Sequence, residues 1–435
     1  MTMADDRTVA AGVGARLPVV SMDSHVSPVV SEYRPFCDPE YRDVLDDVIE
    51  HIDEHMLAPR GGDQESSPRR ERWLAKMQEY ATDELNSDVH VRLRFMDEDG
   101  IAVETLFHGG FNLQPIPFFT RNLNDSLGQD VPETAETREL RLVGIRMYNR
   151  WLADWISAAP ERFIGLAQIP LWDVDLCVAE VRAASAAGLR GINFPAPRRE
   201  MPQYNEEEWY PLWEVCSELG IRLHTHGGGG YIYPTPGPSG YSIRRMEMPF
   251  SGRRAIWQMI LGGVFEKFPQ IKIILTEQLG NWITDLRETL DSAYHSELAQ
   301  REVPYIQDVL PRMPSEYFRD NVFVGASFMS RMEAERAISE DYWQNYLWGR
   351  DFPHPEGTWP FTQASWRKTF AGLPKEKVRA MLAGNAIRAM GLDSQQVQAI
   401  ADRIGPTLAD IDQPLDRRPT DSYTSMGFRE WGMWG

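Results

Sequence analysis

The sequence predicts an α/β protein, a (β/α)8 TIM barrel, on three observations. Eight apolar runs of strand length recur along its 435 residues: Leu17 to Met22, Ile101 to Phe107, Phe163 to Ile169, Leu189 to Phe194, Ile221 to Thr225, Ile271 to Thr276, Val322 to Ala326 and Tyr346 to Gly349. Amphipathic helical patterns separate most of them, as at Val174 to Ala187, Glu206 to Leu219, Arg253 to Phe268, Trp282 to His295 and Met332 to Ser339. Strands alternating with helices imply right-handed crossovers and a parallel sheet. Finally, polar residues able to do chemistry stand at the ends of runs spread over the whole chain. A closed barrel gathers such ends at one mouth, and an open doubly wound sheet would not.

Taken in order, residues 1–16 read as a polar arm without the apolar stretch of a leader. Leu17 to Met22 is a buried strand that delivers Asp23-Ser-His25 at its end. Residues 31–95 read as a helical insertion after that first strand, interrupted by the turn-rich Pro59 to Pro68. The barrel is expected to run over 17–392, and the Asp- and Pro-rich residues 393–435 form a C-terminal extension that wraps back. Lys plus Arg number 45 against 64 Asp plus Glu, a net charge of −19, which repels phosphate backbones and anionic lipid. Nucleic acid and membrane are therefore excluded as partners, no run is long enough to span a bilayer, and a cytoplasmic homo-oligomer acting on a small molecule is expected. Cys37, Cys177 and Cys216 are an odd number without CxxC spacing and suit buried reduced thiols.

Asp23 and His25, two apart in a strand, point the same way. The fifth run ends in His224-Thr-His226 followed by four glycines, a second pair with period 2 beside backbone that a ligand can approach. Glu277 follows the sixth run, and the eighth leads into Arg350-Asp351-Phe-Pro-His354-Pro-Glu356. Asp23, His25, His226, Glu277 and Asp351 thus come from four strand ends, and together they are the donors a divalent metal needs. His224 is a further ligand or a supporting donor. His108, Arg244, Arg245 and Arg350 are candidates for binding substrate at the mouth. So is His354, which also stands where hydrogen bonds would orient the loop after Asp351. Tyr231, Tyr233 and Trp359 could line an apolar pocket. His51 and His55 are spaced i, i+4 but read as a solvated helix face.

These segments resemble the amidohydrolase-related family, often labelled amidohydrolase 2, of the metal-dependent amidohydrolase superfamily. Asp23-Ser-His25 resembles its first-strand ligand pair, and Leu219 to His226 its fifth-strand ligand segment. Trp348-Gly-Arg-Asp351-Phe-Pro-His354-Pro resembles its W-G-S-D-x-P-H-P signature with Arg350 where serine is usual, and Gly384 to Leu392 its closing G-N-A-x-R-x-x-G-L helix. The resemblance implies a barrel enzyme holding one or two divalent ions. Glu277 stands where many members carry histidine, and no lysine on the fourth strand, Gly191 to Phe194, can be carbamylated. Three carboxylates with two imidazoles favour iron or manganese over zinc, which remains compatible. Glu277 could bridge two ions, and Glu277, His224 and Asp351 are the expected catalytic groups. The exchange of Glu for His leans toward the family's non-haem di-iron or manganese-iron monooxygenases, here hydroxylating a small or medium apolar organic acid or ester. Hydrolysis or non-oxidative decarboxylation of a carboxylic acid is the alternative. A barrel kept only as a partner subunit would have lost ligands, and none is missing.

Overall fold

The computed structural model describes residues 15–51, 68–119, 134–198, 201–227, 239–296 and 305–430. Its strands are β1 (Val20–Ser21), β2 (His25–Val26), β3 (Val103–His108), β4 (Phe163–Ala167), β5 (Gly191–Asn193), β6 (Arg222–His226), β7 (Ile273–Thr276), β8 (Val322–Ser327) and β9 (Tyr346–Gly349). All pair in parallel in the order β1-β3-β4-β5-β6-β7-β8-β9, with β2 also on β3. The ring closes between its first and last strands: the amides of Met22, Asp351 and His25 donate to the carbonyls of Trp348 (3.0 Å), Asp23 (2.8 Å) and Phe352 (2.6 Å). This is the (β/α)8 barrel that the eight apolar runs predict, with the first run, Leu17 to Met22, holding β1 and a second short strand, β2, following it after a break at 22–24. The break has a local cause. The Asp23 carbonyl turns to receive the hydroxyls of Ser21 (2.8 Å) and Ser24 (2.7 Å) as well as the Asp351 amide, so it leaves the ladder to β3.

The helices following the strands are α1 (Val89–Asp99), α2 (Ala135–Ile156), α3 (Val174–Ala186), α4 (Tyr210–Leu219), α5 (Gly240–Leu261), α6 (Ile283–Tyr294), α7 (Arg331–Ser339) and α8 (Thr362–Phe370). Short polar residues start several of them, as sequence patterning predicts: the Asp88 carboxylate accepts from His90 and Val91, Asp173 accepts from Leu176, and Ser330 with Glu333 forms a capping box. The helix expected over Arg253 to Phe268 begins earlier, at Gly240, and breaks at Gly262–Gly263 before a short turn over Val264–Lys267.

Two apolar layers result. Val20, Met22, Val103, Phe107, Ile164, Leu166, Ile274, Phe323 and Leu347 fill the barrel and meet Ala383, Ala386, Ala389 and Met390 of the closing helix region, so that region stoppers one end. Asn385 anchors it by donating to the carbonyls of Trp343 (2.7 Å) and Tyr346 (2.9 Å), which gives the G-N-A-x-R motif its physical sense. A larger layer, including Leu223, Ile273, Val324 and Trp348, packs strands against helices. The chain after Leu392 returns along the molecule: the Pro406 carbonyl accepts from Leu17 (2.7 Å) and the Met426 amide donates to Glu356 (2.7 Å). The three cysteines are buried and free, and among the described residues no helix is long and apolar enough to cross a membrane.

Candidate functional site

Parallel strands end at the mouth opposite the stopper, and four polar side chains converge there. His25 Nε2 lies 3.4 Å from Asp23 Oδ1, 3.2 Å from Asp351 Oδ1 and 3.2 Å from His226 Nε2, and His226 Nε2 lies 3.5 Å from Asp23 Oδ1. Asp23, His25 and His226 offer donor atoms within 4.8 Å of one another, as do His25, Asp351 and His354. Asp23, His25 and Asp351 are almost completely buried. Burial alone would raise the Asp23 and Asp351 carboxyls, but the facing imidazoles, His226 and His25 for Asp23 and His354 and His25 for Asp351, hold both below the ordinary carboxylate value.

The donor set fits a divalent cation. Asp23 Oδ1 and Asp351 Oδ1 are buried and faced only by imidazole nitrogens, at 3.0–3.5 Å, and one imidazole nitrogen cannot satisfy two carboxylates and a second imidazole with a single proton. A cation beside His25, the residue common to both donor groups, gives these facing atoms a shared partner, and imidazole nitrogens with carboxylate oxygens suit manganese, iron or zinc.

Glu277 stands apart from these clusters. It follows β7 with φ of 55°, left-handed backbone that costs a non-glycine residue of order 1 kcal/mol. Its Oε2 lies 3.5 Å from His226 Nδ1, the nitrogen on the other side of the ring from Asp23 and His25, and the same Nδ1 lies 3.0 Å from the Gly227 carbonyl. Burial, with Asp351, Asp23 and Glu356 nearby, raises the Glu277 carboxyl well above the usual value despite the opposing pull of His226. The expected bridging position is thus realised as a contact on the outer face of His226. Gly227 permits it: a Cβ there would stand 2.7 Å from the Glu277 carbonyl and 3.0 Å from Oε2. The first glycine of the run therefore makes room for a side chain of this protein rather than for a ligand, and the other three lie outside the described residues.

His224 lies two residues, roughly 7 Å, before His226 along β6. It is fully buried beside Phe107, with ring centroids 6.0 Å apart, and joins neither donor cluster. Burial, with Arg222 nearby, lowers its pKa to about 3, so the ring is neutral. His354 stacks on His25 with centroids 4.1 Å apart; its Nδ1 lies 3.0 Å from Asp351 Oδ1 and its Nε2 2.9 Å from the Gly109 carbonyl. Both ring nitrogens are engaged, so His354 orients Asp351 and His25 in place of the substrate contact expected of it.

Two further substrate expectations are corrected. Arg350 is fully buried, with its guanidinium on Glu104 and Asp99. Along β9 the Leu347 side chain fills the barrel, so alternation sends Arg350 to the helix side and away from the mouth. His108 is likewise buried at the end of β3 and packs edge-on against Tyr148 of α2, with centroids 5.3 Å apart. Trp359 packs in an aromatic cluster with Tyr80, Phe95 and Phe352. His51 is partnered by Asp47 of its own helix. His55, Tyr231, Tyr233 and the side chains of Arg244 and Arg245 lie outside the described residues.

Sequence reasoning overlooked Ser327, whose hydroxyl donates to Asp23 Oδ2, although it ends β8 and the strand-end rule would have found it. Glu356, whose carboxyl burial raises, was quoted in the last motif without a role. Gly349 was read as strand; a Cβ there would meet Asp23 Cβ at 2.8 Å and its amide nitrogen at 3.1 Å. Gly349→Ala is accordingly expected to destabilise the fold by about 1–3 kcal/mol, as overpacking does, and to loosen metal binding by displacing Asp23. Urea melts and metal titration of the same preparation check both effects.

Comparisons with known proteins bear on the family and the fold. Residues 117–392 match a family described as Amidohydrolase, a span that includes His226, Glu277 and Asp351 and leaves out Asp23 and His25. A 2-amino-3-carboxymuconate-6-semialdehyde decarboxylase of Dictyostelium discoideum is 26% identical over 248 residues, 56% of this chain and 66% of that protein, just under two thirds of its length. The crystal structure of 5-carboxyvanillate decarboxylase from Sphingomonas paucimobilis superposes with a TM-score of 0.55 at 21% identity, covering 87% of this chain and all of that one. A variant of the 5-carboxyvanillate decarboxylase of Novosphingobium aromaticivorans, solved with bound manganese and 3-methoxy-4-hydroxy-5-nitrobenzoic acid, gives 0.58 at 17% identity, over 88% and 98% of the two chains. At these identities the structural likeness establishes the fold.

Proposed function

Because the chain belongs to the amidohydrolase family, we propose that it is a divalent-metal enzyme catalysing non-oxidative decarboxylation of a carboxylic acid with an aromatic or similarly apolar body. The observation that carries this reading is the gathering of Asp23, His226 and Asp351 around His25 at the barrel mouth, with Glu277 against the far side of His226. The relatives named above are decarboxylases, which favours decarboxylation over the monooxygenase suggested by the Glu277 exchange alone.

Asp23, His25, His226 and Asp351 would hold the ion, which supplies a positive charge to clamp the substrate carboxylate and a neighbouring oxygen. The ring of Phe107, 5.0 Å from His226 and 5.9 Å from His25, presents an apolar surface beside these donors. As the carbon–carboxylate bond breaks, its electron pair stays on carbon and carbon dioxide departs. That carbon then needs a proton, which Glu277, whose carboxyl burial raises, would hold on its carboxyl oxygen and deliver, to be reprotonated from water. Ser327 and His354 keep Asp23 and Asp351 aimed while this happens.

The test is to strip the protein of metal and reload it with manganese or zinc. It is then incubated without oxygen with a panel of hydroxylated benzoates that includes 2,6-dihydroxybenzoate and 5-carboxyvanillate. Carbon dioxide released only by loaded protein is the expected result. A second reading, a dinuclear oxygenase, draws on the adjacent donor cluster of His25, Asp351 and His354. Product formed only with oxygen, with one of its atoms incorporated, would replace the first reading with the second.

A further inference from the structure

Directly behind the donor cluster lies a buried set of charges that takes no part in the chemistry above. Arg350 Nε donates to Glu104 Oε1 and its Nη1 to Asp99 Oδ2 at 2.7 Å, where Thr362 of α8 also donates at 2.8 Å. Arg92 of α1 donates from Nη1 to the other Glu104 oxygen at 3.1 Å and from Nη2 to the backbone carbonyl of His25. Both guanidinium groups lie over the ring of Phe352, at 4.4 and 4.5 Å. Two guanidinium groups face two carboxyls: Arg350 and Arg92 keep the Glu104 carboxyl below its ordinary value despite its burial, whereas burial raises that of Asp99 against the pull of Arg350.

Arg92, Glu104 and Arg350 tie this set to the seam that closes the barrel. Arg92 holds the carbonyl of His25, while the His25 amide donates to the Phe352 carbonyl. The Arg350 amide donates to the Ser21 hydroxyl at 3.0 Å, and the neighbouring Asp351 amide donates to Asp23 at 2.8 Å. Glu104 stands opposite Ser21 in the pairing of β1 with β3. Buried ion pairs are poor sources of net stability, because desolvation offsets their attraction. A planar fork that reaches two carboxylates from one residue is, by contrast, a means of fixing distances. Three of the four converging donors, Asp23, His25 and Asp351, belong to this seam, and groups that orient ligands commonly govern metal affinity.

We propose that Arg92, Glu104 and Arg350 are positioning residues that lock the seam between the first and last strands and so set the spacing of His25 and Asp351 for the metal. The proposal rests on the metal-centre reading given above. It also accounts for Arg350 at a position where the resemblance places serine: the guanidinium is a strut behind the site.

The probe is manganese(II), titrated into metal-free full-length protein with free ion followed by electron paramagnetic resonance, alongside urea melts of each variant. Arg350→Lys and Glu104→Gln are expected to weaken manganese binding by on the order of 10–100-fold. Arg92→Lys, which keeps the Arg350 pairs and loses the fork to His25, is expected to act in the same direction. The comparison variant is Glu180→Gln, which removes a buried carboxylate paired with Arg146 on the outer helices and is expected to bind within threefold of the parent whatever its stability. A purely structural role would lower stability and leave the affinity of folded protein unchanged. Should Arg350→Lys not fold, Arg92→Lys and Glu104→Gln carry the test. Folded variants that bind manganese as tightly as the parent would overturn the proposal while leaving the metal centre intact, whereas a parent that binds neither manganese nor zinc would overturn the metal reading and this inference with it.

Discussion

His25→Ala protein is expected to bind no stoichiometric metal and to lose activity by about a thousandfold or more. His25 Nε2 is the atom on which the cluster turns, within 3.4 Å of Asp23 Oδ1, Asp351 Oδ1 and His226 Nε2. Removing it takes away the one donor common to both groups, so Asp23 with His226 and Asp351 with His354 are left as two separate pairs, each short of the ligands a tightly held ion needs. An ion that polarises a carboxylate is worth several kcal/mol of transition-state stabilisation, and each 1.36 kcal/mol is a factor of ten in rate. Elemental analysis and a carbon dioxide assay on one preparation measure both quantities. Full metal content in folded His25→Ala protein would mean that the ion sits elsewhere.

Glu277→Gln is expected to cut turnover by roughly 10²–10⁴-fold, the usual worth of a positioned acid or base, while leaving the bound metal at the parental level. The glutamine amide has the same shape and can still face His226, but it has no acidic proton to deliver. Geometry separates this outcome from the bridging role first expected of Glu277. Its oxygen lies against His226 Nδ1, whereas the converging donors face Nε2. Loss of one of two metal equivalents in the variant would place the carboxylate between two ions and return the oxygenase reading to the front.

Much of the molecule was legible because barrel folding writes a periodic signal. Parallel strands covered on both faces must be apolar, so Ile273-Ile-Leu-Thr276 and Val322-Phe-Val-Gly-Ala326 announce themselves, and the polar residue that follows each run is delivered to the same rim. Asp23, His25, His226 and Asp351 could be read in this way, and the structure brings them together. The same rule misplaced Arg350 and His108. Both stand at strand ends, but alternation along β9 and β3 turns them toward the helices, and one residue of register separates the mouth from the outer layer.

Spacing and periodicity thus determined by themselves the barrel and the residue types brought to its mouth, and the short motifs carried the resemblance to the family, because these depend on local pattern and on chemistry held in short segments. Only the tertiary structure decided what each group faces. It set Glu277 against the far side of the His226 ring, closed the ring at the Asp23–Asp351 seam, and joined Arg92, Glu104, Asp99 and Arg350 into one buried network from residues as far apart as 92 and 350. Contacts of that kind follow from register and from the closing of a sheet on itself, which are properties of the whole chain and leave no mark on any short stretch of sequence.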